Sequence, residues 1–247
     1  MRTRLPHALW LVLLLAACAG SPHEAPPRAG DDPIVLVEYH PGLAPAAAVW
    51  ALPQFALLAD GTALTATDDR GILLSATRRT LTADQVADLY DRAGDAGLFR
   101  SREYSSDVLD ASALVVRITS DRGRHETVVV QPSARDRGGR GRAVRFADEA
   151  TQLGTPAGEY LPDRVAAIVV AGRDDNSDVR PWPLPVPASE MPGYPSRPCL
   201  IVSGAGVAPL LAVARNATAE TAFSSAGQAL SLRVRPLLPY EHSCADL

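Results

Sequence analysis

The residues able to carry chemistry in this 247-residue chain are few and scattered: five histidines, three cysteines, and carboxylates that rarely cluster. Cys199, His242 and Cys244 admit two chemistries. A thiol with an imidazole in reach is a nucleophile and its base, whereas two thiols in an oxidising compartment pair as a disulfide. Asp174, Asn176 and Asp178 have the spacing of the first three ligands of a calcium loop. The sixth position is Val179 instead of Gly, however, and the twelfth is Pro185 instead of Glu, which reads as a hydrated loop. Ser203-Gly204-Ala205-Gly206-Val207-Ala208-Pro209 contains the first two glycines of a dinucleotide fingerprint. With Pro209 at the third position and little chain remaining, a strand-to-helix turn is the better reading. His7, His23, His40, His125 and His242 form no zinc spacing, and no G-x-S-x-G elbow is present. The sequence therefore assigns no catalytic residue, no cofactor and no metal ligand.

The densest charge is Arg135, Arg137, Arg140, Arg142 and Arg145, expected to lie mostly in a glycine-containing loop. Such a loop can rest on anionic headgroups or a phosphate-bearing wall polymer. It can equally be a solvated loop partly neutralised by Asp136 and Asp148.

The elements that must position these residues follow from hydrophobic period. Ile34 to Tyr39 has strand composition. Gln54 to Leu58, Asp60-Gly61 and Thr62 to Thr67 read as a hairpin, with a further strand over Gly71 to Ser75. Thr82 with Gln85 predicts a capping box, Val86, Leu89, Tyr90 and Ala93 share one helical face, and Gly97 ends that helix. Leu114, Val116 and Ile118 alternate with Val115 and Arg117, and Asp121-Arg122-Gly123 turns the chain into a second hairpin. Helical spacing resumes at about Val144 to Leu153. Leu161 to Ala171 has strand composition, and the prolines between Arg173 and Pro198 require an extended connector or edge segment. Cys199 to Ser203 and Ala229 to Val234 are strands flanking a helix over Val207 to Asn216. The order of these two strands leaves open whether the chain beyond Pro236 must fold back to bring the cysteines together.

The N-terminus states an address. Arg2 and Arg4 precede an apolar run from Leu9 to Leu15, too short to span a bilayer, and small residues lead to Cys18. Leu15-Ala16-Ala17-Cys18 resembles a bacterial lipobox, which implies a cysteine that is diacylated and becomes the first residue after cleavage. An ordinary secretory peptide or a single span are the other readings. With Cys18 so used, Cys199 and Cys244 are an even pair in an exported chain and are expected to be bonded. The loop-entropy model gives that bond about 3 to 4 kcal/mol. Residues 18–32 are Pro-rich and aperiodic, a flexible tether.

Composition supports a globular body, with 47% hydrophobic residues and a mean hydropathy of +0.01. Aromatics are only 5%, so Ala, Val and Leu must build the core. All 24 basic residues are arginine, as in a high-GC actinobacterial genome, and the net charge of −4 argues against a nucleic-acid partner.

The stretches LPQFALLADGTALT, LTADQVADLYDRAGDAGLF and VRPLLPYEHSC resemble a group of actinobacterial secreted or lipid-anchored proteins. The resemblance implies an extracytoplasmic α+β protein with no assigned reaction, and it carries no catalytic residues over. The expected organisation is a signal peptide over 1–17, a tether over 18–32 and an α+β domain over 33–160. In that domain an antiparallel sheet packs with helices in the order sheet, helix, hairpin, helix. A Pro-rich connector over 161–198 then leads to a smaller disulfide-closed α/β lobe over 199–247. The expected function is a cell-envelope lipoprotein, anchored outside the membrane, that binds an envelope protein or wall polymer. The alternatives are a hydrolase or transferase with dispersed residues, or an accessory or sensor subunit of a membrane protein.

Overall fold

The computed structural model describes residues 24–43, 50–172 and 178–247. The signal segment, Cys18, His7, His23, Asp174 and Asn176 lie outside them. The described residues form a mixed, sheet-rich fold with three α-helices. The first half holds β1 (Val35–His40), β2 (Phe55–Leu57), β3 (Thr62–Arg70), β4 (Leu73–Thr80), α1 (Ala83–Ala96), β5 (Arg102–Tyr104), β6 (Ala113–Ser120), β7 (Gly123–Val130) and α2 (Gly138–Ala150). The second holds β8 (Thr155–Glu159), β9 (Arg164–Gly172), β10 (Val179–Pro181), β11 (Cys199–Ser203), α3 (Val207–Arg215), β12 (Ala222–Ser225) and β13 (Gln228–Pro236).

In the first half the strand order is β4-β3-β2-β1-β6-β7-β5, antiparallel except for the edge strand β5, which runs parallel to β7. Strand alternation places Val35, Val37, Val116 and Ile118 on one face, where α1 and α2 cover them. The α1 helix starts on a complete capping box: Gln85 N donates to Thr82 Oγ1 over 3.2 Å, and Thr82 N to Gln85 Oε1 over 2.9 Å. Gly97 closes it at φ 77, a left-handed cap. Tyr90 fixes α1 to the sheet by donating its hydroxyl to the carbonyls of Thr119 and Ile34.

The α2 helix begins well before Val144, taking its first turns from the expected arginine loop. Glycine disfavours a helix by about 1 kcal/mol, but here it permits close approach. A Cβ on Gly139 would lie 2.3 Å from the Tyr104 hydroxyl, and one on Gly141 would lie 2.1 Å from the Asp136 carbonyl oxygen. Propensity is overridden by packing that the sequence does not display.

The second half joins the first at β4, which pairs antiparallel with β8 and runs parallel to β13 at Leu73 and Val234. Instead of lying in a connector, β9 sits between β11 and β13, antiparallel to both. The Pro-rich segment supplies the edge strand β10, and its Leu184, Ala188 and Met191 pack into the core formed with α3. Proline lacks an amide donor, but the apolar residues between prolines can still be buried.

Since β11 and β13 both run antiparallel to β9, they are parallel to each other on opposite sides of it. Cys199 is level with Ile168 and Arg233, so a chain leaving β13 at Pro236 is heading away from it. Residues 237–243 reverse that direction, and Cys244 then bonds Cys199, with Cα atoms 6.1 Å apart. Replacing both cysteines by Ser is expected to lower stability by about 3 to 4 kcal/mol, measured by urea denaturation. Thiol labelling of the denatured, unreduced Cys18→Ser protein should find no free cysteine.

Candidate functional site

The face of β1 and β6 turned away from the helices carries Leu36, Glu38 and His40 beside Arg117 and Thr119. The reversed C-terminal segment stands over this face and encloses a cleft of about 980 Å³. That is a volume suited to an organic ligand or a short segment of a partner. Leu36 and Leu52 form its apolar floor, and charged groups line its walls.

Two charge clusters organise the walls. On the sheet side Arg117 donates from Nε to Glu126 Oε2 over 2.7 Å and from Nη1 to Glu38 Oε2. His40 Nε2 lies 3.6 Å from that same Glu38 oxygen. Partly exposed pairs of this kind add little stability, but they set the direction of each charge. On the tail side Arg235 and Glu241 are bonded at both ends, 2.6 Å from Nη1 to Oε2 and 2.8 Å from Nη2 to Oε1. Their side chains are 3% and 4% exposed. Arg235 Nε also donates to the Trp50 carbonyl over 2.9 Å, and Leu238 N donates to Glu241 Oε2 over 2.8 Å. These further bonds satisfy the atoms that the pair leaves over, which a desolvated charge pair requires.

Tyr240 lines the cleft within reach of both clusters. Burial, and then the Glu241 carboxylate, push its hydroxyl well above the ordinary tyrosine range, against the opposing pull of Arg235. It is therefore a protonated donor at any physiological pH, and no intramolecular acceptor occupies it among the described residues. Arg124, also on the wall, is exposed and forms no ion pair among the described residues. The arrangement offers two uncommitted donors, a fixed carboxylate and an apolar floor. Such a site can recognise a group that is polar on one side and apolar on the other.

The cleft reaches Pro41 and Gly42 at one end of the sheet. Gly42 packs so closely on the loop from β5 to β6 that an added Cβ would fall 1.8 Å from the Asp110 carbonyl oxygen. The residues flanking this contact are strongly exposed and apolar: Leu43 is 90% and Leu109 91% exposed, with Tyr39 and Val108 beside them. The cleft thus has an apolar rim.

The residues singled out in the sequence are distributed elsewhere. Cys199 and Cys244 are bonded, so His242 has no thiol to activate; its Nδ1 lies 3.4 Å from Arg164 Nη2. Asp178 receives two bonds from Arg180 and one from the Thr221 hydroxyl, and these hold its carboxyl below the ordinary range. Ser203 to Pro209 is the turn from β11 into α3. Of the arginine cluster, Arg140 is a structural staple: it donates to the carbonyls of Tyr104, Val130 and Gln131 and pairs with Asp136 at 2.8 Å. Arg135, Arg137, Arg142 and Arg145 remain exposed near or along α2. Among the described residues no three His, Cys, Asp or Glu side chains gather as metal ligands.

Glu38, Arg117, Arg235, Tyr240 and Glu241 were not legible as a site. Their available signal was charge inside strands: Glu38 and Arg117 interrupt apolar runs, and Arg235 follows Val234 at the end of the last strand. Compared with family models, curated proteins and solved structures, the chain matches none.

Arg235→Met alone is expected to lower stability by about 3 to 5 kcal/mol, because it leaves a buried carboxylate unpaired. Adding Glu241→Leu should recover most of that loss in a urea double-mutant cycle. Tyr240→Phe should change stability by no more than about 0.5 kcal/mol, since its hydroxyl has no partner to lose among the described residues.

Proposed function

We propose that the protein is a lipid-anchored binding module of the cell envelope, held on the outer face of the membrane through diacylated Cys18. It is an α+β domain with a smaller disulfide-closed C-terminal lobe, and it binds an envelope protein or wall polymer at the cleft. The observation that carries the reading is the cleft itself, about 980 Å³ and continuous with the exposed apolar residues Leu43 and Leu109. Exposed apolar groups concentrated beside a concave polar site mark interaction surfaces. The Cys199 to Cys244 disulfide supports an oxidising compartment outside the cytoplasm. Two acyl chains would anchor stably, whereas one is marginal. No helix among the described residues is long and apolar enough to cross a membrane.

The anchoring is tested by fractionation: Cys18→Ser should move the protein from the membrane to the soluble fraction, and retention in the membrane would refute lipidation. The binding role is tested by photocrosslinking on intact cells from a photoreactive residue at position 109. One discrete protein or polymer adduct, reduced at least about ten-fold by Leu43→Asp or by Arg117→Ala, is expected, a loss matching about 1.4 kcal/mol of binding energy. An adduct insensitive to both substitutions, or none, would overturn this reading and direct attention to a hydrolase or transferase.

A further inference from the structure

We infer that residues 26–33 form a strap that builds one wall of the cleft, and that Glu24 is the latch that closes it. The inference rests on the reading of the cleft as a binding site.

The described part of the expected tether is attached to the hairpin formed by β6 and β7. At its start Glu24 accepts from the Ser120 hydroxyl and lies 2.9 Å from His125 Nε2, with side chains 14% and 19% exposed in the Glu24 and His125 pair. Next to it, Ala25 N donates to Asp121 Oδ1 over 3.2 Å, and Asp121 N donates to the Ala25 carbonyl over 2.9 Å. At the other end, the Ile34 carbonyl accepts from Thr119 N over 2.9 Å as the chain enters β1. The two attachments are thus two residues apart on the body, at Asp121 and Thr119, and the eight residues between them leave the sheet and return to it. This is a short loop of the kind whose ends meet.

Between its ends the strap holds itself weakly. Residues 26–33 form no hydrogen bond or ion pair among the described residues, and Arg28 to Asp32 are exposed. Pro26 and Pro27 on the outgoing limb and Pro33 on the returning limb are half-buried and stiffen the chain by fixing φ. The returning limb brings Asp32 and Pro33 into the lining of the cleft, together with Thr119 and Arg124. The strap therefore adds an unpaired carboxylate to a cleft that already holds the unpaired Arg124.

The latch decides whether that wall stands. With Glu24 detached, the chain ahead of Ile34 is held at one point only, and it samples many more conformations than a loop closed at both ends. Burial raises the Glu24 carboxyl, but the Ser120 and His125 bonds outweigh it and hold the group below its ordinary range. Glu24 is accordingly charged at neutral pH, which strengthens its bonds. Without its side chain only the Ala25 and Asp121 bonds remain, and both residues are exposed to water.

The test places a photoreactive residue at position 32 of the purified full chain and maps crosslinks within the molecule. They should fall on the cleft lining, and Glu24→Ala should lower their yield at least about five-fold, since removing hydrogen bonds to a charged group shifts a local equilibrium by about ten-fold or more. Glu24→Gln keeps an acceptor for the Ser120 hydroxyl and should retain most of the yield. Neither substitution should move the urea midpoint, because the strap supplies no residue to the buried core. Crosslinks of equal yield in Glu24→Ala would overturn the latch. On intact cells Glu24→Ala should also weaken the adduct formed from position 109; an unchanged adduct beside lost strap crosslinks would overturn the role of the strap as a binding wall. No adduct from position 109 in the otherwise unsubstituted chain would overturn the reading of the cleft instead, and the crosslinks from position 32 decide the latch in either case.

Discussion

The buried pair of Arg235 and Glu241 is the interaction on which the second half of the molecule and its cleft depend. A strand leaving the sheet at Pro236 heads away from Cys199, and the chain has few residues in which to return. Glu241 accepts both guanidinium nitrogens of Arg235 and the Leu238 amide, so one carboxylate closes the reversal. The Arg235 Nε bond to the Trp50 carbonyl ties this reversal to the segment before β2. A pair of this kind contributes little net stability over a well-packed apolar replacement. Its contribution is geometric: it determines where Tyr240 stands and brings Cys244 back to Cys199.

The sheet sorts apolar from charged chemistry by the period of two. Residues on one face of β1 and β6 pack under α1 and α2, and their neighbours on the other face carry Glu38, His40 and Arg117. One strand pair therefore builds both the main core and one wall of the cleft. At the turn end of the same strands Glu24 bonds Ser120 and His125, and exposed apolar residues stand at the other end.

Some of this was readable in the linear chain because local rules determine it. The limits of α1 follow from Thr82, Gln85 and Gly97, where hydrogen bonds and a left-handed φ arise within a few residues. The Asp121-Arg122-Gly123 turn and the alternation of Leu114, Val116 and Ile118 are local for the same reason. The cysteine pairing followed from an even count in a chain expected to be exported, without knowledge of topology. The start of α2 was not readable, because Gly139 and Gly141 are chosen for close approach to Tyr104 and Asp136, which are distant or outside the helical period.

What the sequence by itself determined is thus the class of fold, its local elements, the disulfide partners and the expectation of export. Tertiary structure alone decided that β9 stands between β11 and β13, that Glu24 docks on Ser120 and His125, and that Arg117 and Arg235 face one cleft. The physical reason is range. Caps, turns and strand period are set by neighbours in the chain, whereas these contacts join residues from 31 to 185 positions apart, as in Cys199 beside Ile168 and Arg235 to Trp50. Their partners are chosen by burial and charge in space, and no spacing in the sequence records that choice.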